Sequence, residues 1–255
     1  MRLFDTHCHL NDPAYQADLA AVLKRARAAG VVRMLVVGYD LPSSQKALAL
    51  AEAEDGIYAA VGIHPHDAAG VTTADLVRLE EMLAHPKAVA LGEIGLDYHY
   101  ENSPRREQQE VFRAQLALAQ KVGKPVVIHG REAHADLVAA LKAEGDRYQG
   151  VMHCYSGSKE AAREYLDLNL YISVAGPVTF KNARKLLEVV PMLPPERLLL
   201  ETDAPYLTPH PWRGRRNEPA CLVAVAERVA QLRGMTTEAV ADLTWENGAA
   251  CFGLL

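Results

Sequence analysis

Short runs of apolar, often β-branched residues alternate with longer amphipathic segments along the chain. Runs of this length, bounded by glycine, proline or polar residues, are typical of buried β-strands. They predict eight strands, at Arg2–Thr6, Val31–Val37, Ile57–Gly62, Ala88–Ile94, Pro125–Ile128, Gly150–His153, Leu170–Val174 and Arg197–Glu201.

In the segments between and after these strands, apolar residues recur at helical spacing. The predicted helices are Asp12–Ala29, Ser43–Glu54, Thr73–Ala84, Pro104–Val122, Glu132–Glu144, Lys159–Leu168, Lys181–Val190, Pro219–Arg233 and Thr236–Phe252. Gly30, Gly123 and Gly145 lie where helix C-caps are expected, and Pro13 and Pro104 lie near helix starts.

The alternation of strands and helices predicts an α/β protein with a parallel sheet. Eight such units in 255 residues fit a (β/α)8 TIM barrel, and we expect residues 1–255 to form a single domain. The alternative is a doubly wound open sheet. That fold would be expected to carry a glycine-rich phosphate loop after an early strand, and the sequence has none.

The composition of the chain argues against membrane-spanning, secreted disulfide-rich and general duplex-binding proteins. The chain is 49% hydrophobic, has a net charge of -5, and lacks the apolar run of about 18 residues that spans a bilayer. Met1–Asp5 resembles a strand start rather than a signal peptide, and four cysteines without CxxC spacing do not form a disulfide scaffold. We therefore expect a cytoplasmic protein, as a monomer, and no general duplex binder, which would carry a basic face.

Six of the eight predicted strands end in histidine or an acid, where a barrel collects its catalytic residues. These residues are His7 and His9, His64 and His66, Glu93 and Asp97, His129, His153, and Glu201 and Asp203. Even four of these histidines and two of these carboxylates exceed what one tetrahedral zinc ion needs, but they suit two ions that share a carboxylate. The sequence therefore predicts a metal centre.

The first strand shows how side-chain alternation would orient such ligands. Side chains in a strand repeat with period two, so Asp5, His7 and His9 are expected to share one face. Cys8 and Cys154, each directly after a candidate ligand histidine, are expected to point away as small buried hydrophobic residues.

These residues, in this order, resemble the TatD family of metal-dependent deoxyribonucleases, a branch of the amidohydrolase-like TIM barrels. The matching stretches are Asp5–Leu10, Gly62–His66, Gly92–Tyr98, His153–Ser158, Glu201–Leu207 and Arg216–Pro219. The resemblance implies one ion held by His7, His9, Glu93 and Asp203, and a second held by His129, His153 and the shared Glu93.

From this site we expect hydrolysis of DNA phosphodiester bonds, at single-stranded ends, by a hydroxide bound to two ions. Glu93 bridges the ions, Asp203 takes and returns a proton, and His64 contacts the phosphate or protonates the leaving group. His64 is not expected to be a primary ligand, although a third ion near it is left open. The ions could be Mg²⁺, Mn²⁺ or Zn²⁺.

Several further residues are expected to support the chemistry. Arg131, two residues beyond His129, and the basic run containing Arg213, Arg215, Arg216 and Asn217 are predicted to bind substrate phosphates. Asp5 and Glu201 are predicted to orient the ligand imidazoles from behind. Asp97, Tyr98 and Tyr206 are expected to line the cleft.

Two other functions fit the same ligands. The first is an ester or amide hydrolase, such as an enzyme that removes D-amino acids from tRNA, because similar barrels attack carbonyl carbon. The second is a metal-binding partner protein without catalysis, which an intact ligand set makes the weakest of the three.

Overall fold

A computed structural model describes residues 1–145 and 148–254 of the chain. Its eight strands form one parallel sheet in which each strand pairs with the next along the chain. The strands are β1 (Leu3–Cys8), β2 (Val31–Val37), β3 (Ile57–Val61), β4 (Ala88–Asp97), β5 (Val126–Arg131), β6 (Gly150–Met152), β7 (Tyr171–Val174) and β8 (Leu198–Leu200).

The helices that follow the strands confirm the predicted (β/α)8 barrel. They are α1 (Leu19–Ala28), α2 (Leu41–Ala53), α3 (Thr73–Leu83), α4 (Arg105–Val122), α5 (His134–Glu144), α6 (Lys159–Asp167), α7 (Arg184–Met192), α8 (Leu222–Arg233) and α9 (Thr237–Phe252). In the described part of the chain, no helix combines the length and apolarity needed to cross a membrane.

The alternation of strand side chains divides the core into two layers. The outer layer lies between strands and helices and includes Met34 and Ile128. The inner layer fills the barrel and includes Phe4, Leu35 and Val127. Fully burying one such side chain contributes roughly 1.5–3 kcal/mol.

Helix α9 covers the amino ends of the strands. Trp245 and Phe252 pack edge-on against Phe4, with ring centroids 6.4 and 5.9 Å away. Asn247 donates to the carbonyl of Leu198 at 2.8 Å, at the start of β8. This end of the barrel is therefore sealed by packing, which leaves the carboxyl ends of the strands for a site.

Several predicted boundaries differ from the structure, most clearly those of the first helix and of two strands. The helix predicted over Asp12–Ala29 is a 3-10 turn at Pro13–Tyr15 followed by α1, because the Tyr15 side chain is buried and its hydroxyl donates to the carbonyl of Asn217 at 2.6 Å. Strands β4 and β5 extend three residues beyond their predicted ends, since Asp97 still pairs with Arg131 in the ladder.

The barrel closes between β1 and β8 beyond the end of β8. The Asp203 amide donates to the carbonyl of His7 at 3.0 Å, and the His9 amide donates to the carbonyl of Ala204 at 2.7 Å. Closure therefore fixes three of the predicted metal ligands through backbone hydrogen bonds.

The prediction that Asp5 shares a face with the two histidines is wrong. The ladder between β1 and β2 shifts register between Asp5 and Cys8, which breaks strict alternation. The Thr6 hydroxyl lies inside the barrel, 3.4 Å from Ser173 Oγ. The carboxylate of Asp5 contacts no imidazole and accepts from the backbone amide of Thr202 at 2.9 Å.

Asp5 is instead a buried link across the closure. Its Oδ2 lies 2.6 Å from the Thr202 hydroxyl, and the side chain is fully buried. Burial raises the pKa of Asp5 to about 8, although the hydrogen bonds with Thr202 oppose the shift. The fold therefore favours the protonated form of this acid.

Asp5→Asn and Asp5→Ala test this link in chelator-treated protein. Asparagine can keep both hydrogen bonds to Thr202, whereas alanine should lower the free energy of unfolding by about 1–3 kcal/mol. Because the folded pKa is raised, the stability from Asp5 is present below pH about 4 and is lost as the pH rises through about 8. Urea unfolding should therefore show wild type losing stability relative to Asp5→Asn between acid and alkaline pH. A constant difference across this range would contradict the assignment.

Candidate metal centre

The carboxylate of Glu93, at the carboxyl end of β4, lies between two sets of histidines. Its Oε2 is 3.4 Å from His7 Nε2 and 3.7 Å from His9 Nε2. Its Oε1 is 3.0 Å from His129 Nδ1 and 2.9 Å from His153 Nε2. Glu93 is 4% exposed, so one buried carboxylate joins both ligand sets predicted from the sequence.

Asp203 completes the first set. Its Oδ1 lies 3.7 Å from His7 Nε2 and 3.6 Å from His9 Nε2, and its backbone has a left-handed φ of +56°. In the described residues, three groups have ligand atoms that all lie within 4.8 Å of one another: His7, His153 and Asp203; His7, His9 and Glu93; and His64, Glu93 and His129.

Each of two imidazoles has one nitrogen that faces the site and one that faces away from it, and the hydrogen bond at the outer nitrogen indicates that the inner nitrogen can bind a cation. His9 Nδ1 lies 2.9 Å from the carbonyl oxygen of Val37, and His153 Nδ1 lies 3.2 Å from Glu201 Oε1. An acceptor at the outer nitrogen places the ring proton there and leaves a lone pair at Nε2. Those lone pairs face carboxylate oxygens, so a proton or a metal cation is needed between them. The donor set therefore fits metal ions.

Glu201 makes the contact that the sequence suggested. Besides His153, its Oε1 accepts from the backbone amide of Cys154 at 2.8 Å. Such an acceptor fixes both the tautomer and the orientation of a ligand imidazole. That Glu201 orients a bound-metal ligand stays a prediction.

Asp97 performs the same task for His129, which sequence reasoning missed when it placed Asp97 only in the cleft lining. Its Oδ2 lies 3.0 Å from His129 Nε2 and 3.1 Å from His66 Nε2. The Asp97 backbone is held in turn by Gln108, which accepts from its amide at 2.9 Å and donates to its carbonyl at 3.0 Å. The sequence carried a signal for this contact: Glu93 and Asp97 are four residues apart on one strand, so strand alternation places their side chains on the same face.

The charges of these groups are strongly coupled. Burial alone would raise the pKa of Glu93, but the charge of His153 and hydrogen bonds from His129 and His153 hold it well below its usual range. Burial is likewise outweighed at Asp203, whose pKa is lowered mainly by its hydrogen bond with His9. Both acids are therefore anionic, as metal ligands must be.

His64 differs from the other imidazoles. Its Nδ1 accepts from the backbone amide of His66 at 3.1 Å, so the ring proton lies on Nε2, which is 3.4 Å from Glu93 Oε1. Burial lowers the pKa of His64 to about 4, with the nearby Glu93 carboxylate opposing the shift. A neutral imidazole with its N–H directed into the site is a hydrogen-bond donor in this tautomer. That His64 acts as a donor rather than as a ligand stays a prediction.

Two residues predicted to bind substrate have structural partners. Asn217 is fully buried and donates to the carbonyls of Thr202 and Tyr206 at 2.9 and 2.7 Å. The guanidinium of Arg216 forms a two-pronged ion pair with Asp18 at 2.8 and 2.7 Å. The prediction of direct substrate contact by Asn217 is therefore corrected, because this buried side chain holds the loop after β8 in place. The contact of Arg216 with a substrate stays a prediction, since its side chain remains partly exposed beside Asp18.

The other predicted arginines lie exposed at the carboxyl end of the barrel. The Arg131 guanidinium stacks over the ring of Tyr100, 4.7 Å from its centroid. Arg213 stacks over Phe180 at 4.0 Å, and Arg215 is exposed. Their contact with a substrate stays a prediction.

The two cysteines after ligand histidines differ. Cys8 is fully buried in the outer core, as predicted, with its thiol donating to the carbonyl of Leu35 at 3.5 Å. Cys154 is only half-buried and lies outside the core with a left-handed φ of +43°. It was expected to be a buried hydrophobic residue, but the chain has already left β6 at this point.

The two tyrosines that were predicted to line the cleft differ in their surroundings. Tyr98 donates to Asp136 at 2.7 Å and packs on the rim. Tyr206 is 53% exposed, and its ring lies 6.1 Å from that of His9. Only Tyr206 therefore offers an open aromatic surface beside the first ligand set.

Known proteins resemble this chain over nearly its full length. The model of the TatD related DNase family matches residues 4–253. YabD of Bacillus subtilis, an uncharacterized metal-dependent hydrolase, is 52% identical over 251 residues, which are 98% of each protein. The 3'-5' ssDNA/RNA exonuclease TatD of Klebsiella pneumoniae is 40% identical over 258 residues, 99% of this chain and 98% of that protein.

A solved structure agrees with these similarities. The crystal structure of YJJV, a TatD homolog from Escherichia coli K12, superposes with a TM-score of 0.94 at 34% identity, covering 100% of this chain and 99% of that one. Sequence, fold and the buried cluster of histidines and carboxylates lead to the same conclusion: the chain belongs to the TatD related DNase family of metal-dependent hydrolases.

Proposed function

We propose that this protein is a metal-dependent phosphodiesterase that removes nucleotides from the ends of single-stranded DNA. The observation that carries the proposal is the position of Glu93, whose two oxygens face different histidine sets at 2.9–3.7 Å. A carboxylate shared in this way is the arrangement expected of a site for two ions. The relative from Klebsiella pneumoniae, named as a 3'-5' ssDNA/RNA exonuclease, supports the choice of substrate.

Each ion has its own residues in this proposal. His7, His9, Glu93 and Asp203 would hold the first, and His129, His153 and Glu93 the second. When bound, two divalent ions would activate water and offset the charge that develops on phosphate oxygens.

The chain's own residues would supply proton transfer and positioning. Asp203 is the candidate base, because its lowered pKa keeps the carboxylate ionised and its Oδ1 faces the site beside His7 and His9. His64, neutral and with Nε2–H directed into the site, would donate a hydrogen bond to the phosphate or a proton to the leaving oxygen. Exposed guanidinium groups at Arg131, Arg213 and Arg215 suit bidentate contact with phosphates.

Nucleotide release from 3'-labelled single-stranded DNA, measured with Mg²⁺, Mn²⁺ or Zn²⁺ and with a chelator, tests the proposal. We expect release only with metal, and none from Glu93→Ala. Release that survives the chelator or this substitution would rule out the metal mechanism. Deacylation of D-aminoacyl-tRNA without nucleotide release would instead favour the ester hydrolase.

His7→Ala and Cys8→Ala form a matched pair on adjacent residues. Removing the His7 imidazole should empty the first ion position and abolish hydrolysis, because its Nε2 lies beside both Glu93 and Asp203. Cys8→Ala should keep both metal content and activity, since its thiol points into the outer core. Metal content by elemental analysis and nucleotide release check the pair, and equal losses in both variants would refute the assignment.

Asp97→Asn tests the hydrogen bond behind His129. The amide can still accept from the backbone amides of His99 and Tyr100, as Oδ1 does at 3.0 Å, but it can place a donor against His129 Nε2. Calorimetric titration should show the second ion binding about 10–100-fold more weakly, with the first little changed. Asp136→Asn, which alters an exposed acid on α5, is the control. Unchanged affinity for the second ion in Asp97→Asn would show that Asp97 does not position the ligand.

A further inference from the structure

Positive charge is concentrated in one sector of the catalytic rim. Residues 175–187, after β7, and 204–217, after β8, contain no acidic residue. The loops after β1 to β5 each carry carboxylates, at Asp12, Asp40, Asp67, Glu101 and Glu132. On a chain with a net charge of -5, this asymmetry gives an anionic polymer one favourable direction in which to leave the site.

The loops after β7 and β8 pack together into one surface. The guanidinium of Arg213 lies over the ring of Phe180 at 4.0 Å, and the ring of His210 lies 6.3 Å from that of Phe180. The His210 amide donates to Thr179 Oγ1 at 2.9 Å. We call this the β7–β8 basic surface; its exposed cations are Lys181, Arg184, Lys185, Arg213 and Arg215.

Ion pairs do not account for these cations, although Arg213 also donates to the carbonyl of Thr208 at 3.2 Å. Within residues 1–145 and 148–254, none of the five has a carboxylate oxygen within 4.0 Å, whereas Arg216 beside them is paired with Asp18. Arg184 and Lys185 lie in the first turn of α7, which has no acidic residue, and cations there oppose the helix dipole.

Aromatic side chains connect the surface to the metal centre. Tyr206 is 53% exposed beside His9, and Trp212, further along the same loop, is 37% exposed. Exposed aromatic rings interleaved with cations are typical of surfaces that bind single-stranded nucleic acid, where bases stack and phosphates pair with cations.

We propose that the β7–β8 basic surface binds the uncleaved part of a single strand of DNA as it leaves the metal centre, with phosphates against its cations and bases stacked on Tyr206 and Trp212. The inference rests on the proposed function and names the path of its substrate. The loop after β7 and the first turn of α7, where sequence analysis named no candidate, supply three of the five cations.

The triple variant Lys181→Ala, Arg184→Ala, Lys185→Ala tests the path. The matched control is Lys24→Ala, Arg78→Ala, Lys142→Ala, which removes three exposed cations from α1, α3 and α5. Two measurements are made on each: kcat/KM for single strands of about 15 and about 3 nucleotides, and binding of the longer strand by fluorescence anisotropy at several salt concentrations.

For each protein, kcat/KM for the long strand is divided by kcat/KM for the short one. We expect this ratio to fall about tenfold in the test variant and to stay unchanged in the control. The slope of log affinity against log salt should become shallower by about 2, since each lost phosphate contact contributes about 0.7 for single strands. The ratio is insensitive to damage at the metal centre, which would slow both lengths alike.

Equal length ratios and salt slopes in the two triple variants would overturn the inference while leaving the proposed function intact. A slope that falls for single-stranded RNA but not for DNA would also overturn it. If wild type releases no nucleotide from either strand yet binds DNA with a salt slope that only the test variant reduces, the proposed function fails and the surface is supported.

Discussion

The buried carboxylate of Glu93 is the constraint on which the site depends. An ionised acid at 4% exposure is costly unless it is paired, and here the partners are imidazoles delivered by β1, β5 and β6 and by the turn after β3. The barrel must therefore bring the ends of distant strands within about 4 Å of one side chain. Glycine at position 92 helps, because a Cβ there would lie 2.5 Å from that of Val127 on the neighbouring strand.

A second layer of acceptors sets the direction of three of the four candidate ligand imidazoles, those of His9, His129 and His153. The carbonyl of Val37, the carboxylate of Glu201 and the carboxylate of Asp97 hold the outer nitrogens, at 2.9–3.2 Å. The lone pairs on the inner nitrogens then point at carboxylate oxygens, and a metal cation or protons must lie between them to offset the repulsion. His64 has the opposite polarity, because its outer nitrogen accepts a hydrogen bond. The ring nitrogen that carries the proton is thus set by the partner behind each ring, not by residue type.

The carboxyl end of the barrel holds a centre rich in carboxylates, and the loops around it differ in charge from one side to the other. Carboxylates lie in the loops after β1 to β5, and cations lie in the loops after β7 and β8. A metal-loaded centre would attract phosphate, while the basic sector would give the rest of a strand its direction. An acidic chain can therefore handle nucleic acid through local contacts, without the broad basic face of a duplex binder.

The sequence by itself determined the barrel and identified the histidines and acids that converge at its carboxyl end, since strand-length apolar runs and polar residues at strand ends are local signals. It could not place Asp5, because one register shift in β1 reverses the face on which a side chain lies. Nor could the sequence show that Arg216 and Asn217 have structural partners while the neighbouring Arg215 is exposed. Arg216 pairs with Asp18, about two hundred residues away along the chain, and Asn217 donates to the carbonyl of Thr202. Contacts of that kind exist only once the barrel has closed. Local spacing can indicate which residues reach the rim, but their partners there depend on the tertiary structure.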